Sequence, residues 1–131
     1  MNTLEYLLEL YPDRPWNWTA ISRNPNVTME FIEKYPDKDW NWDIISKNPN
    51  ITMEIIEKYP EKSWNWNEIS NNPNLTIEFV EAHPEKSWNW REISCNPNIT
   101  VAFIKKYLYK IDFQRLSSNT FTFENSRINK K

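Results

Sequence analysis

Few residues in this sequence have the type and spacing that chemistry requires. The chain holds one histidine, His83, and one cysteine, Cys95. A metal centre needs several ligands at tight spacing, and His83 stands alone at a place where equivalent positions hold Tyr35, Tyr59 and Tyr107. It therefore reads as a packed or half-exposed ring. Cys95 replaces Arg23, Lys47 and Asn71 at a varying position and has no neighbouring histidine to take its proton, so it reads as an exposed, incidental thiol. One cysteine also permits no internal disulfide. Glu33, Glu57 and Glu81 recur beside Lys34 and Lys58, which suits a solvated charged face better than a paired acid and base. With 0 glycines there is no glycine loop to cradle a phosphate. The expectation is a chain with no catalytic, cofactor-binding or metal-binding residues.

The 8 tryptophans raise a different chemistry, stacking on nucleic-acid bases or sugars. Stacking on a single strand is normally accompanied by an electrostatic funnel. Here the net charge is -2, and Glu30, Glu54 and Glu78 with Glu33, Glu57 and Glu81 put an acidic row on one surface, so nucleic acid is an improbable ligand. No run of about 18 apolar residues exists to cross a membrane, and Met1–Glu5 lacks the cationic start of a secretion signal. A cytoplasmic protein is expected.

Those tryptophans belong to a repeat, and the repeat decides the fold class. Trp16, Trp40, Trp64 and Trp88 are spaced by 24, as are Trp18, Trp42, Trp66 and Trp90, and Pro25, Pro49, Pro73 and Pro97. All four copies read W-N-W-x-x-I-S-x-N-P-N-(V/I/L)-T. Capping chemistry places two short helices in each unit. Asn17, Asn41, Asn65 and Asn89 are N-cap residues for a first helix of about two turns, with Glu68 and Glu92 three residues on as capping-box partners. Thr28, Thr52, Thr76 and Thr100 cap a second helix that stops before Pro36, Pro60 and Pro84. Trp16 with Ile21 and Val27 with Ile32, repeated in each copy, stand at the two ends of a hydrophobic staple. Neither helix can bury its apolar stripe alone, so units must stack.

The N-P-N turn follows the first helix where a left-handed residue is usually needed, and Asn24, Asn48, Asn72 and Asn96 would take the role that glycine has elsewhere. Asn26, Asn50, Asn74 and Asn98 are expected to form a ladder of amides from unit to unit. The domain reading is one solenoid over 1–131: an N-terminal half-repeat at 1–12, four full repeats at 13–108, and a degenerate C-terminal cap and tail at 109–131. In that cap Ile111 and Leu116 keep the staple around Asp112, and the tail from about Asn125 is expected to fray.

The unit N-P-N-x-T-x-E followed by an aliphatic pair resembles the variant leucine-rich repeat. Its denser W-N-W…N-P-N-I-T version is similar to repeat proteins of giant DNA viruses that infect amoebae, across roughly residues 3–124. The resemblance implies an all-α solenoid in which α and short α/3-10 helices alternate in a right-handed superhelix. It implies no activity, and would put the chain in a host cytoplasm or a virion.

Function is then expected from the surface. A non-catalytic scaffold for protein–protein interaction is the principal expectation, with a virion structural or glycan-binding role, or single-strand nucleic-acid binding through tryptophan, as alternatives. Positions identical in every copy serve the architecture, whereas a partner can only distinguish what varies. The candidate partner-binding surface is Asp43, Ile44, Asn67, Glu68, Arg91 and Glu92. Neither the partner's identity nor the oligomeric state follows from the sequence.

Overall fold

The computed structural model describes residues 2–121, and every regular element among them is helical. The expected fraying of the tail concerns residues outside those described. A lone helix, α1 (Thr3–Leu10), precedes four pairs. These are α2 (Trp18–Ser22) with α3 (Met29–Lys34), α4 (Trp42–Ser46) with α5 (Met53–Lys58), α6 (Trp66–Ile69) with α7 (Ile77–Ala82), and α8 (Trp90–Cys95) with α9 (Val101–Lys106). A 3-10 turn at Leu108–Lys110 and a final short helix, α10 (Phe113–Leu116), follow.

The caps fall where side-chain chemistry dictates. Asn17, Asn41 and Asn65 each accept from the backbone N–H three residues on, and Asn89 accepts from those of Arg91 and Glu92. Thr28, Thr52, Thr76 and Thr100 do the same for the second helices. Asp112 caps α10 through the N–H of Arg115. The second helices end in Tyr35, Tyr59 and His83, whose backbones turn away from the helical region ahead of proline. There the first tryptophan of the next W-N-W acts as a donor: the indole Nε1 of Trp16, Trp40, Trp64 and Trp88 bonds the carbonyls of Tyr11, Tyr35, Tyr59 and His83 at 2.8–2.9 Å. The ring thus fills the staple and satisfies a helix-end acceptor together.

Two local expectations are corrected and one is narrowed. The N-P-N asparagines are not left-handed, because Phe121 alone has positive φ among the described residues. Instead Asn48 Oδ1 accepts from the N–H of Asn50 at 2.8 Å, and Asn24, Asn72 and Asn96 make the same bond two residues on. This Asx turn reverses the chain with every φ negative, which is how the repeat does without glycine. The capping box does not close either, since the N–H of Asn65 and of Asn89 donates to a serine of the preceding unit. The short first helices, for which α or 3-10 geometry was expected, are α. Ile45 N–H reaches Asn41 O, and three-residue bonds appear only in the closing turn, from Lys47 to Ile44 and from Asn48 to Ile45.

The core is a set of rows. Ile21, Ile45, Ile69 and Ile93 from the first helices lie buried with Val27, Ile51, Leu75 and Ile99 from the turns, and with Ile32, Ile56 and Val80 from the second helices. Trp40, Trp64 and Trp88 are buried beside them. Each short helix therefore owes its stability to neighbouring units more than to its own few hydrogen bonds.

Candidate partner-binding surface

The positions identical in all four units hold one unit to the next. The hydroxyl of Ser22 donates to Trp18 O at 2.7 Å and accepts from the N–H of Asn41, the cap of the following first helix, at 2.9 Å. Ser46 with Asn65, Ser70 with Asn89 and Ser94 with Asp112 repeat the relay. Asparagine amides add two ladders. Asn50 Nδ2 bonds the carbonyls of Pro25 and Val27, and Asn74 those of Pro49 and Ile51. Asn72 reaches Ser46 O at 3.0 Å, and Asn119 reaches Ser94 O and Asn96 O at 2.9 and 3.0 Å. The second ladder and the serine relay were not read from the sequence. Their trace there was the identity of the serine in every copy and its fixed distance from the next cap.

The second tryptophan of each W-N-W is placed differently from the first. Trp18, Trp42 and Trp66 are half-buried, each meeting the next unit's Trp40, Trp64 or Trp88 edge-on with centroids 5.1, 5.1 and 5.3 Å apart. Over the rings of Trp18, Trp42, Trp66 and Trp90 lie the ammonium groups of Lys38, Lys62, Lys86 and Lys110, at 5.0–5.9 Å from the centroids. The acidic second-helix residues make ion pairs between units: Lys34 with Glu9 at 3.3 Å, Lys106 with Glu81 at 3.7 Å, Lys62 with Glu33 at 3.1 Å. Ala82 stands where equivalent positions hold Lys34, Lys58 and Lys106. There His83 Nε2 lies 3.5 Å from Glu57, and the ring packs 4.5 Å from that of Phe79, beside a cavity of about 460 Å³ walled by Trp66 and Phe79.

The six candidate residues divide into two groups. Asp43 and Asn67 are exposed but engaged: Asp43 Oδ1 accepts from Asn65 Nδ2 at 2.7 Å, and Asn67 Oδ1 from Asn89 Nδ2 at 2.6 Å. Arg91 Nε lies 3.9 Å from Asp112. These three reach the cap of the next unit, so at position 43 and these equivalents the side chain is shared with a neighbour. At these three the side chain matches the neighbour, an acceptor where the next cap is an amide and a cation where it is a carboxylate.

Ile44 and Glu92 line grooves between consecutive first helices. In one groove, a cavity of about 360 Å³, Ile44 lies with Arg23 and Lys47 over the N-P-N turns. In the other, of about 380 Å³, the same three positions are Glu92, Asn71 and Cys95. At the junction between them Lys47 and Glu68 are 3.9 Å apart. Arg23, Lys47, Asn71 and Cys95 thus share the grooves and their junction with the candidate residues Ile44, Glu68 and Glu92. Cys95 is exposed, yet its thiol is held above the ordinary range by partial burial and by the charges of Glu92 and Asp112, with Arg91 opposing. That shift diminishes the thiolate at neutral pH.

Among the described residues no three His, Cys, Asp or Glu side chains come together as a metal site, and no helix is long and apolar enough to cross a membrane. Comparison with protein-family models, curated proteins and solved structures returns no match.

Proposed function

We propose that this chain is a non-catalytic scaffold: four 24-residue units wound as a right-handed α-solenoid that holds a protein partner along the grooves between its first helices. One observation carries the reading. The same backbone groove recurs 48 residues apart with a different lining, Arg23, Ile44 and Lys47 in one case and Asn71, Glu92 and Cys95 in the other. A uniform polymer would favour repeated linings. A basic and apolar groove followed by a neutral and acidic one suits a folded or peptide partner whose own charge changes along its length.

The stacking alternatives, a nucleic-acid strand or a glycan on the tryptophans, have less support. The faces a base or sugar would need are covered by lysine ammonium groups, and the ring edges are packed against the next unit. A role within a virion or a host cytoplasm remains compatible with the scaffold and adds no requirement to it.

The test is to capture partners from expressing cells with the wild-type chain and then measure binding of the purified partner to Ile44→Asp and Glu92→Lys. Loss of binding with unchanged far-UV circular dichroism and melting temperature supports the reading. Unchanged binding in both, with loss in Lys62→Ala or Lys86→Ala, overturns it in favour of the tryptophan face.

A further inference from the structure

We propose that the α1 and α10 faces of this chain bind one another, so that copies join head to tail. The three junctions between full units use the same parts: a half-buried ring at the Trp18 position set edge-on to the next unit's tryptophan, and a serine hydroxyl accepting the next cap's N–H. Each end of the described chain carries half of these parts.

On the α1 side the receiving half is vacant. Trp16 is half-buried whereas its equivalents Trp40, Trp64 and Trp88 are buried, and among the described residues no ring packs edge-on against it as Trp18 does against Trp40. Asn17 caps α2, but among the described residues its own N–H meets no serine hydroxyl, unlike Asn41, Asn65 and Asn89. On the α10 side the giving half has no partner among the described residues. Phe113, at the Trp18 position, is 53% exposed. Ser117 Oγ donates to Phe113 O at 2.6 Å, as Ser22 does to Trp18 O, and among the described residues no backbone N–H donates to it. The side of α10 toward α8 is complete, since Asp112 N–H bonds Ser94 and Asn119 bonds the carbonyls beyond it.

Polarity points the same way. Lys34 reaches back to Glu9, so its position faces the preceding second helix, and in α1 the same position is Leu10. Glu30 is likewise replaced by Tyr6, and both α1 residues are at least half exposed. A terminal repeat that ends an array in water presents a polar outer face; α1 presents an apolar one. Among the described elements α1 matches a second helix and α10 a first helix. Set together, Phe113 would lie on Trp16 and Ser117 would accept from Asn17, rebuilding one unit across two copies. Such a contact is heterologous, and generates open chains when the rotation from copy to copy does not close a ring.

The test is sedimentation of the full chain across a wide concentration range. Expected is a mass that climbs with concentration through successive multiples of one chain. Leu10→Asp and Phe113→Asp each remain monomeric alone, because each blocks one face, and their equimolar mixture forms a 1:1 dimer and nothing larger. Both residues are exposed, and circular dichroism checks that each variant folds; Tyr6→Asp and Ser117→Ala are a second pair should either fail. A wild-type chain monomeric throughout overturns the proposal, whether the faces are covered by the chain's own remaining residues or by another protein. So does a variant that dimerises alone, which would mean like faces pairing, or a mixture that stays monomeric.

Discussion

Ser46 Oγ lies 2.8 Å from the backbone nitrogen of Asn65 and 2.6 Å from the carbonyl oxygen of Trp42, so one buried hydroxyl accepts from one unit and donates within another. The N–H it serves belongs to an N-cap residue, whose own amide has no intrahelical acceptor. Ser46→Ala leaves that N–H without its partner, and the expected loss is about 1–3 kcal/mol, the cost of an unsatisfied buried group. Denaturant unfolding of the full chain measures it. A loss near zero would mean that water replaces the hydroxyl and that the junction does not depend on it.

The Asx turn gives Asn48 a bonding role in place of a conformational one. Its Oδ1 accepts from Asn50 N–H while its carbonyl lies 3.5 Å from the amide nitrogen of Asn72. Asn48→Gly keeps the backbone freedom and removes the acceptor, so it is expected to destabilise by about 1–3 kcal/mol. Were the site to need left-handed geometry, glycine would be neutral. The two outcomes separate cleanly in a thermal or urea melt.

Trp64 is buried, donates to Tyr59 O at 2.9 Å and meets Trp42 edge-on. Replacing it with Ala should cost about 3–5 kcal/mol, the range for deleting a large buried aromatic. A cost below about 1 kcal/mol would contradict the burial. Emission from this tryptophan should be blue-shifted and resist quenching by iodide.

Period and caps were legible in the sequence because both are local. A 24-residue spacing of Trp and Pro needs no coordinates, and Asn or Thr at the start of an apolar stripe declares a helix start with its own side chain. What joins one unit to the next was less legible. A serine identical in four copies could have been a helix residue facing water, and only the fold brings Ser22 to Asn41 and Ser94 to Asp112. The tryptophans divide in the same manner: Trp40 donates inward from its staple, while Trp42 lies half-buried under Lys62, although the sequence writes them as near equals. The N-P-N turn was misread because proline and asparagine permit two routes around a helix end, and the choice rests on an amide bond two residues away.

Cys95 should label slowly near neutral pH for an exposed thiol. Partial burial, with Glu92 and Asp112, raises its pKa, so the folded chain keeps the proton to higher pH than the unfolded chain. The sign follows: the folded state gains from the neutral thiol at and below the ordinary thiol range, and loses that contribution as pH rises through the folded value. Iodoacetamide labelling should accelerate on unfolding in urea at fixed pH. Cys95→Ser should flatten the fall in stability at alkaline pH. Equal labelling rates in folded and unfolded chain would refute the shift.

The last prediction separates the two halves of the candidate surface. Asp43 and Asn67 each accept an amide hydrogen from the next cap, whereas Arg91 and Asp112 form an exposed pair at 3.9 Å. Asp43→Ala and Asn67→Ala are expected to cost about 0.5–1.5 kcal/mol each, the net worth of an intramolecular hydrogen bond, and Arg91→Ala about 0–1 kcal/mol, because exposed ion pairs contribute little. Ile44→Ser and Glu92→Gln, which alter groove-lining side chains that make no bond to a cap, should leave stability within about 0.5 kcal/mol. Parallel denaturation of the five variants ranks them. If the groove substitutions prove the costly ones and those at 43 and 67 the neutral ones, the division is reversed: the grooves hold the units together, and the first position of the pair is the one free to meet a partner.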